Sequence, residues 1–292
     1  MQSHLQINHN KAKRLGLIIV KLAVVGACSF FIYRRLYSAD GGSLWSILSF
    51  PHLSLVLCLA LLLTPLNWYL EALKWKCCLK PVILLENNEA LNAVLRGLSL
   101  NWVLPFTIGD FVGRILGIEK SRKTVVAMLL NKYVSLLVTI VLGAVSALWF
   151  FELAFLTPVV LSVTMAGLLV VTPRLFRRYG LQDIIKLFLL TIIRYGVFTF
   201  QFVLIASFIV PEVSIITWVL GTPMVLAIKS VVPSVLGGIG LREAATIAVF
   251  GTYSDSVAAL TLASLLVWLI NIVIPSIYGL VPIITYKVKL QR

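Results

Sequence analysis

The sequence predicts an all-α polytopic membrane protein, with about six spanning helices and two oppositely oriented re-entrant helix pairs in an inverted repeat. Three observations predict it. Sixty per cent of the 292 residues are hydrophobic against 12% charged, and the mean hydropathy is +1.01, which excludes an ordinary soluble domain. Lys and Arg gather at one side of the apolar segments, as the positive-inside rule asks. A short phrase combining a helix breaker with a cation also occurs twice. Residues 101–114 read NWVLPFTIGDFVGR and residues 229–242 read KSVVPSVLGGIGLR, so Val103, Pro105, Gly109 and Arg114 align with Val231, Pro233, Gly237 and Arg242.

Taken in order, the first predicted span is 15–33, preceded by Lys11, Lys13 and Arg14. It reads as an uncleaved span, because no small-residue cleavage site precedes a polar mature start. Val25-Gly26-Ala27-Cys28 faintly resembles a lipoprotein box, but Phe30-Phe31-Ile32 follows where a polar tether is needed. The second span is 53–73, ending in an aromatic stretch (Trp68, Tyr69, Trp75) that reads as an interfacial belt. Residues 90–118 are apolar but broken at Pro105 and Gly109, and read as the first re-entrant pair. Spans at 124–150, 154–172 and 185–210 follow, each near or above the ~20 residues that cross a bilayer. Residues 213–250, broken at Pro233 and the Gly237–Gly240 run, form the second re-entrant pair, and 256–286 is the last span. Counted as full spans, the interrupted stretches give eight crossings instead. The chain is one integral membrane domain, 1–292, with inverted halves of approximately 12–150 and 151–292.

Charge sets the orientation. With the N-terminus inside, sixteen of the 25 Lys and Arg lie in cytoplasmic segments, Lys74, Lys76 and Lys80 among them, and Arg34 and Arg35 lie outside. Both termini are then cytoplasmic, and residues 34–44 and 251–255 face outward. The same count makes the first re-entrant pair dip from the inside and the second from the outside, so the inverted repeat emerges from charge independently of the repeated phrase.

Catalytic and metal chemistry find no footing. There is no Gly-rich phosphate loop, HExxH or Gly-x-Ser-x-Gly elbow, so the chain is not read as an enzyme and any transport is passive, ion-coupled or driven by potential. The 4 Cys and 3 His lack metal-ligand spacing, and Cys28 and Cys58 read as packing residues inside spans. Cys77 and Cys78 sit at a cytoplasmic helix end, where a disulfide is disfavoured. No cofactor, metal or nucleic acid is implied. The basic balance of 25 Lys and Arg against 11 Asp and Glu belongs instead to topology and anionic headgroups.

Intramembrane charge is expensive and marks candidate sites, and broken helices at matching places in two halves point to a transporter's binding site. After the break at Pro105 to Gly109, a half-helix starts near Asp110, and its N-terminus favours anions. Asp110 and Arg114 are four apart, on one face. Asp110 either neutralises Arg114 or leaves it partly free for a lipid phosphate. In the second phrase, Gly237, Gly238 and Gly240 allow close backbone approach, and Leu241-Arg242-Glu243-Ala244 opens the outgoing half-helix. Glu243 is a natural cap there, whereas Arg242, projecting about 100° away, is expected not to share its partner. Lys229 precedes the break and can snorkel into a cavity. Secondary candidates are Glu71, paired with Lys74 or Lys76; Arg96; Lys132, a cavity residue or a partner for Asp110; and Arg194, whose expected role is to snorkel to the interface.

At these residues the chain resembles the membrane domain of the lysylphosphatidylglycerol synthase/flippase family. The likeness rests on Asn67-Trp68 with Glu71-Ala72-Leu73-Lys74-Trp75, on Pro105-Phe106-Thr107-Ile108-Gly109-Asp110 with Arg114, and above all on Gly237-Gly238-Ile239-Gly240-Leu241-Arg242-Glu243-Ala244. It covers the chain from about residue 12 to the end. It implies an inner-membrane protein whose halves form cavities for a lipid headgroup and which moves lipid between leaflets. The transferase part of the family's best-known members is not in this sequence, and Asp110 stands where many relatives carry a different acidic residue.

The expected function is therefore a flippase- or scramblase-like translocase for a phospholipid or other anionic-headgroup lipid in the cytoplasmic membrane. Two alternatives stay open at this point: a subunit presenting lipid to a separate synthase or glycosyltransferase, and a secondary transporter for a small anion. The expected partners are membrane lipids with anionic headgroups, with room for a separate lipid-modifying enzyme and for oligomerisation.

Overall fold

A computed structural model describes residues 51–103, 108–116, 121–162, 178–231 and 240–285, together with the single residues 30, 118 and 164. These are helical with no strand. The helices are α1 (Leu53–Leu79), α2 (Asn87–Val103), α3 (Ile108–Ile115), α4 (Arg122–Phe150), α5 (Leu181–Ile209), α6 (Ile215–Val231), α7 (Leu241–Phe250) and α8 (Val257–Trp268). A π turn at Leu269–Val273 carries α8 on into α9 (Ile274–Tyr278) and α10 (Val281–Ile284). Among the described residues, α1, α4, α5 and the run Val257–Ile284 are long and apolar enough to cross a membrane. The predicted first span at 15–33 (apart from residue 30), the breakers Pro105 and Pro233, and Gly237 and Gly238 lie outside the described residues, as do residues 163 and 165–172 of the predicted span 154–172.

Each long helix forms because it is an almost unbroken apolar run, and two of them begin at a serine cap. Ser121 opens α4 by accepting a hydrogen bond from the Thr124 N–H at 3.2 Å, and Ser256 opens α8 by accepting from Ala259 at 3.3 Å, a standard helix N-cap. Two predicted boundaries shift outward: α1 runs to Leu79 rather than 73, and α5 starts at Leu181 rather than 185. The outer faces stay apolar and exposed, with Leu62 74%, Ile216 72% and Ile284 81% accessible. Such a surface suits hydrocarbon, not water.

Two separate hydrophobic cores mark the two ends of the bundle. One gathers Leu53 of α1, Phe202 to Ile209 of α5, Trp218 and Val225 of α6, Ile247 and Phe250 of α7, and Val257 to Ile270. The other gathers Trp68, Trp75 and Leu79 of α1, Ala90 to Leu98 of α2, Ala127 to Val138 of α4 and Leu187 of α5. The helix α1 thus runs from the first core to the second, whereas α4 and α5 run from the second to the first. Phe150 packs at the first core and Tyr179 at the second.

The two interrupted stretches are pairs of short helices, and each pair belongs to one core. In the α2–α3 pair, backbone meets backbone at glycine: a Cβ on Gly97 would lie 2.6 Å from the Asp110 Oδ1, and one on Gly113 or Gly109 would overlap the main chain of α2. Arg96 donates to the carbonyls of Gly113 and Leu116, both at 3.3 Å, and so caps the end of α3. In the α6–α7 pair, Phe250 packs tilted against Trp218 with ring centroids 4.0 Å apart, in the space left open by Gly221. Gly240 has φ 83°, a left-handed value that a side chain would resist.

Candidate functional site

A buried network of ion pairs joins α1, α3, α4 and α5. Its hub is Glu71, whose carboxylate meets Lys74 at 2.9 Å, Arg114 at 2.8 Å and Arg194 at 3.3 Å, and accepts from Asn131 Nδ2 at 3.1 Å. Arg114 also donates through Nε to Asp110 Oδ1 at 2.6 Å. The other Asp110 oxygen takes the Lys132 amine, and Lys74 donates to Ser135 Oγ. Aromatic rings line this network, with Trp75 5.8 Å from the Arg114 guanidinium carbon and Trp68 5.4 Å from that of Arg194, both in cation–π range. On the far side of Trp68, its indole donates to the Asn271 carbonyl at 3.1 Å, and Asn67 donates to the Asn271 side chain at 2.9 Å.

The charges do not balance. Lys74, Arg114, Lys132 and Arg194 surround two carboxylates, Glu71 and Asp110, an excess of two positive charges. The inner members are closed off, since the side chains of Lys74, Glu71 and Arg114 are 4% accessible or less. Lys132 and Arg194 form the accessible margin, at 44% and 26%. The excess therefore sits where something outside the network can reach it.

A second, smaller cluster stands at the start of α7. Arg242 and Glu243, both buried, contact each other at 3.3 Å. Arg242 Nε donates to Ser264 Oγ at 3.0 Å, and Ser264 in turn donates to Glu243 Oε1 at 2.9 Å. The remaining Glu243 oxygen accepts the Gly240 N–H at 2.6 Å. The backward reach of a glutamate in the first turn is the capping half expected of Glu243. Lys229, half-buried near the end of α6, lies within electrostatic range of Arg242, Glu243 and Arg194.

Several expectations need correction. Arg194 does not snorkel: it lies 13 residues into α5, roughly 20 Å along the axis, and points inward to Glu71. Lys74 is not a loop cation but a fully buried one. Trp68 and Trp75 are buried against the charges rather than forming an interfacial belt, and only Tyr69 of that stretch is exposed. Arg242 and Glu243 do share a partner, Ser264, because the glutamate folds back toward Gly240 while the long arginine side chain reaches the same hydroxyl. Arg114 is enclosed by Asp110 and Glu71. Lys132 resolves to a partner for Asp110, whereas Arg96 serves the α2–α3 hairpin. Cys58 lies exposed on the outer face, and Cys77 and Cys78 are buried free thiols.

Sequence reasoning missed Ser264, Asn271 and Ser135. Each is a polar residue inside an apolar run, where hydrocarbon offers it no partner, and that mismatch was the available signal. Among the described residues no group of His, Cys, Asp and Glu could hold a metal ion. No protein-family model matches the chain, and a search of the curated proteins finds no match.

Proposed function

We propose that this chain is a lipid translocase of flippase or scramblase type, acting on a lipid with an anionic headgroup in the cytoplasmic membrane, with both termini cytoplasmic. The observation that carries the reading is the excess of two positive charges in the Glu71–Asp110 network, whose accessible margin is Lys132 and Arg194. Buried unbalanced cations raise the energy of the empty protein, and an entering anion relieves it. Fixed cations in low dielectric also offset the water that the headgroup sheds.

The two short-helix pairs support an alternating route. Eight residues of α3 and ten of α7 rise only about 12 and 15 Å, short of the ~30 Å hydrocarbon layer. Each pair touches only one core, and the two cores lie at opposite ends. Read as re-entrant, they enter from opposite faces and meet the charged clusters near mid-depth, the arrangement in which inverted halves carry a ligand across. The resemblance to lysylphosphatidylglycerol flippase domains adds to this reading.

The test is reconstitution of the purified chain in vesicles carrying labelled lipids, following exposure of each headgroup on the two leaflets. Movement of an anionic lipid well above protein-free vesicles is expected, with zwitterionic lipid slower. Anionic lipid that moves no faster than in protein-free vesicles overturns the proposal.

A further inference from the structure

We propose that Arg194, Lys229 and Arg242 form a site for a doubly charged terminal phosphate, the headgroup of a phosphate monoester rather than a diester. The three residues stand on elements packed in series, α5 on α6 and α6 on α7, with Tyr195 beside Arg194 donating to the Pro223 carbonyl of α6 at 3.5 Å. Two of the three carry unused donors. Arg242 is fully buried, yet its Nη1 has no hydrogen-bond partner among the described residues, and the buried Nε of Arg194 has none either. A buried N–H left unpaired is costly, and guanidinium donors match phosphate oxygens closely in geometry. Lys229 supplies a third cation with the reach of a flexible stem.

Charge selects the ligand. Across both clusters, Lys74, Arg114, Lys132, Arg194, Lys229 and Arg242 face Glu71, Asp110 and Glu243. A diester brings one negative charge and leaves most of the excess in place. A monoester brings up to two, and its three terminal oxygens can each accept from a different residue. The site deepens the translocase reading and rests on it for the phosphate being lipid-borne.

The experiment places the purified chain in phosphatidylcholine vesicles with three arms: labelled phosphatidic acid, labelled phosphatidylglycerol, and uptake of radioactive inorganic phosphate. At pH 8 phosphatidic acid should cross at least about tenfold faster than phosphatidylglycerol, as expected for one further charge-assisted hydrogen bond. At pH 5, below the second ionisation of a monoester near pH 6, that advantage should vanish. Lys229→Gln should slow phosphatidic acid by about tenfold, with Lys229→Arg close to the parent; this half-buried residue near a helix end can be exchanged where Arg242 cannot. Equal rates for the two lipids at both pH values, with both moving, overturn the monoester site and leave the translocase standing. Inorganic phosphate crossing while neither lipid moves upholds the site and overturns the translocase. Failure of all three arms overturns both.

Discussion

Glu71 holds cations from three helices, and the consequences of losing it follow from burial. Glu71→Gln leaves Lys74, Arg114 and Arg194 without their shared anion at a site the solvent does not reach. A loss of about 3–5 kcal/mol of stability is expected, seen as a lower melting temperature in detergent. Asp110→Asn and Arg114→Gln should couple: the double variant should lose less than the sum of the singles, by about 1–3 kcal/mol. Additive losses would mean that the 2.6 Å contact carries no energy. The exposed pair of Lys80 and Asp183, 2.7 Å apart, is the contrast. Its hydrogen bond holds the Lys80 amine above the usual lysine range, so any contribution is fully present below that range and fades only as pH rises through the raised value. Melting should therefore not change through this pair between pH 6 and 8. The i, i+4 spacing of Asp110 and Arg114 was legible as a pair, and Glu243 as a cap, because both are local geometry. The local half of Glu71's role, its pairing with Lys74, was legible too; its role as hub was not, since Arg114 and Arg194 come from 43 and 123 positions away. A carboxylate with one cation beside it does not show that two more will converge on it from other helices.

At the scale of elements, the glycines of the α2–α3 hairpin decide how closely α3 approaches. Gly97, Gly109 and Gly113 let the two backbones touch, the close approach that small residues permit between membrane helices. Gly113→Ala should push α3 away and lower stability by about 1–3 kcal/mol, and should also slow lipid movement because Asp110 and Arg114 travel with α3. Gly196→Ala is the control: nothing lies within 4 Å of a Cβ there, and a melting curve like the parent's is expected. If both variants melt alike, the close approach does not hold the hairpin together. The sequence announced that 90–118 and 213–250 were interrupted, since Pro and Gly are visible breakers. Which glycine faces which backbone was hidden, because that depends on how the two short helices are rotated about their axes.

For the whole molecule, the two cores place Leu79, Lys80 and Tyr179 at one end and Leu53, Phe150 and Val257 at the other. With the proposed orientation, a membrane-impermeant thiol reagent on intact cells should label Asp255→Cys and not Lys80→Cys in a background lacking the native cysteines. The reverse pattern would invert the protein in the membrane. The antiparallel order of the long helices was readable from charge and apolar length. That the interior would split into two cores, each claimed by one hairpin, was not, since an apolar residue looks the same to hydrocarbon and to a neighbouring helix. The π turn at Leu269–Val273 links these scales. It holds one residue more than the α-helical turn it interrupts, and Asn271 within it receives the indole of Trp68. Shedding that residue would let α8 run straight on, turning everything beyond by about 100° about the axis. Ser276 and Gly279 would then swing away from Ser99 and Leu95 of α2, so the last helix and the first hairpin are geared to each other through one surplus residue.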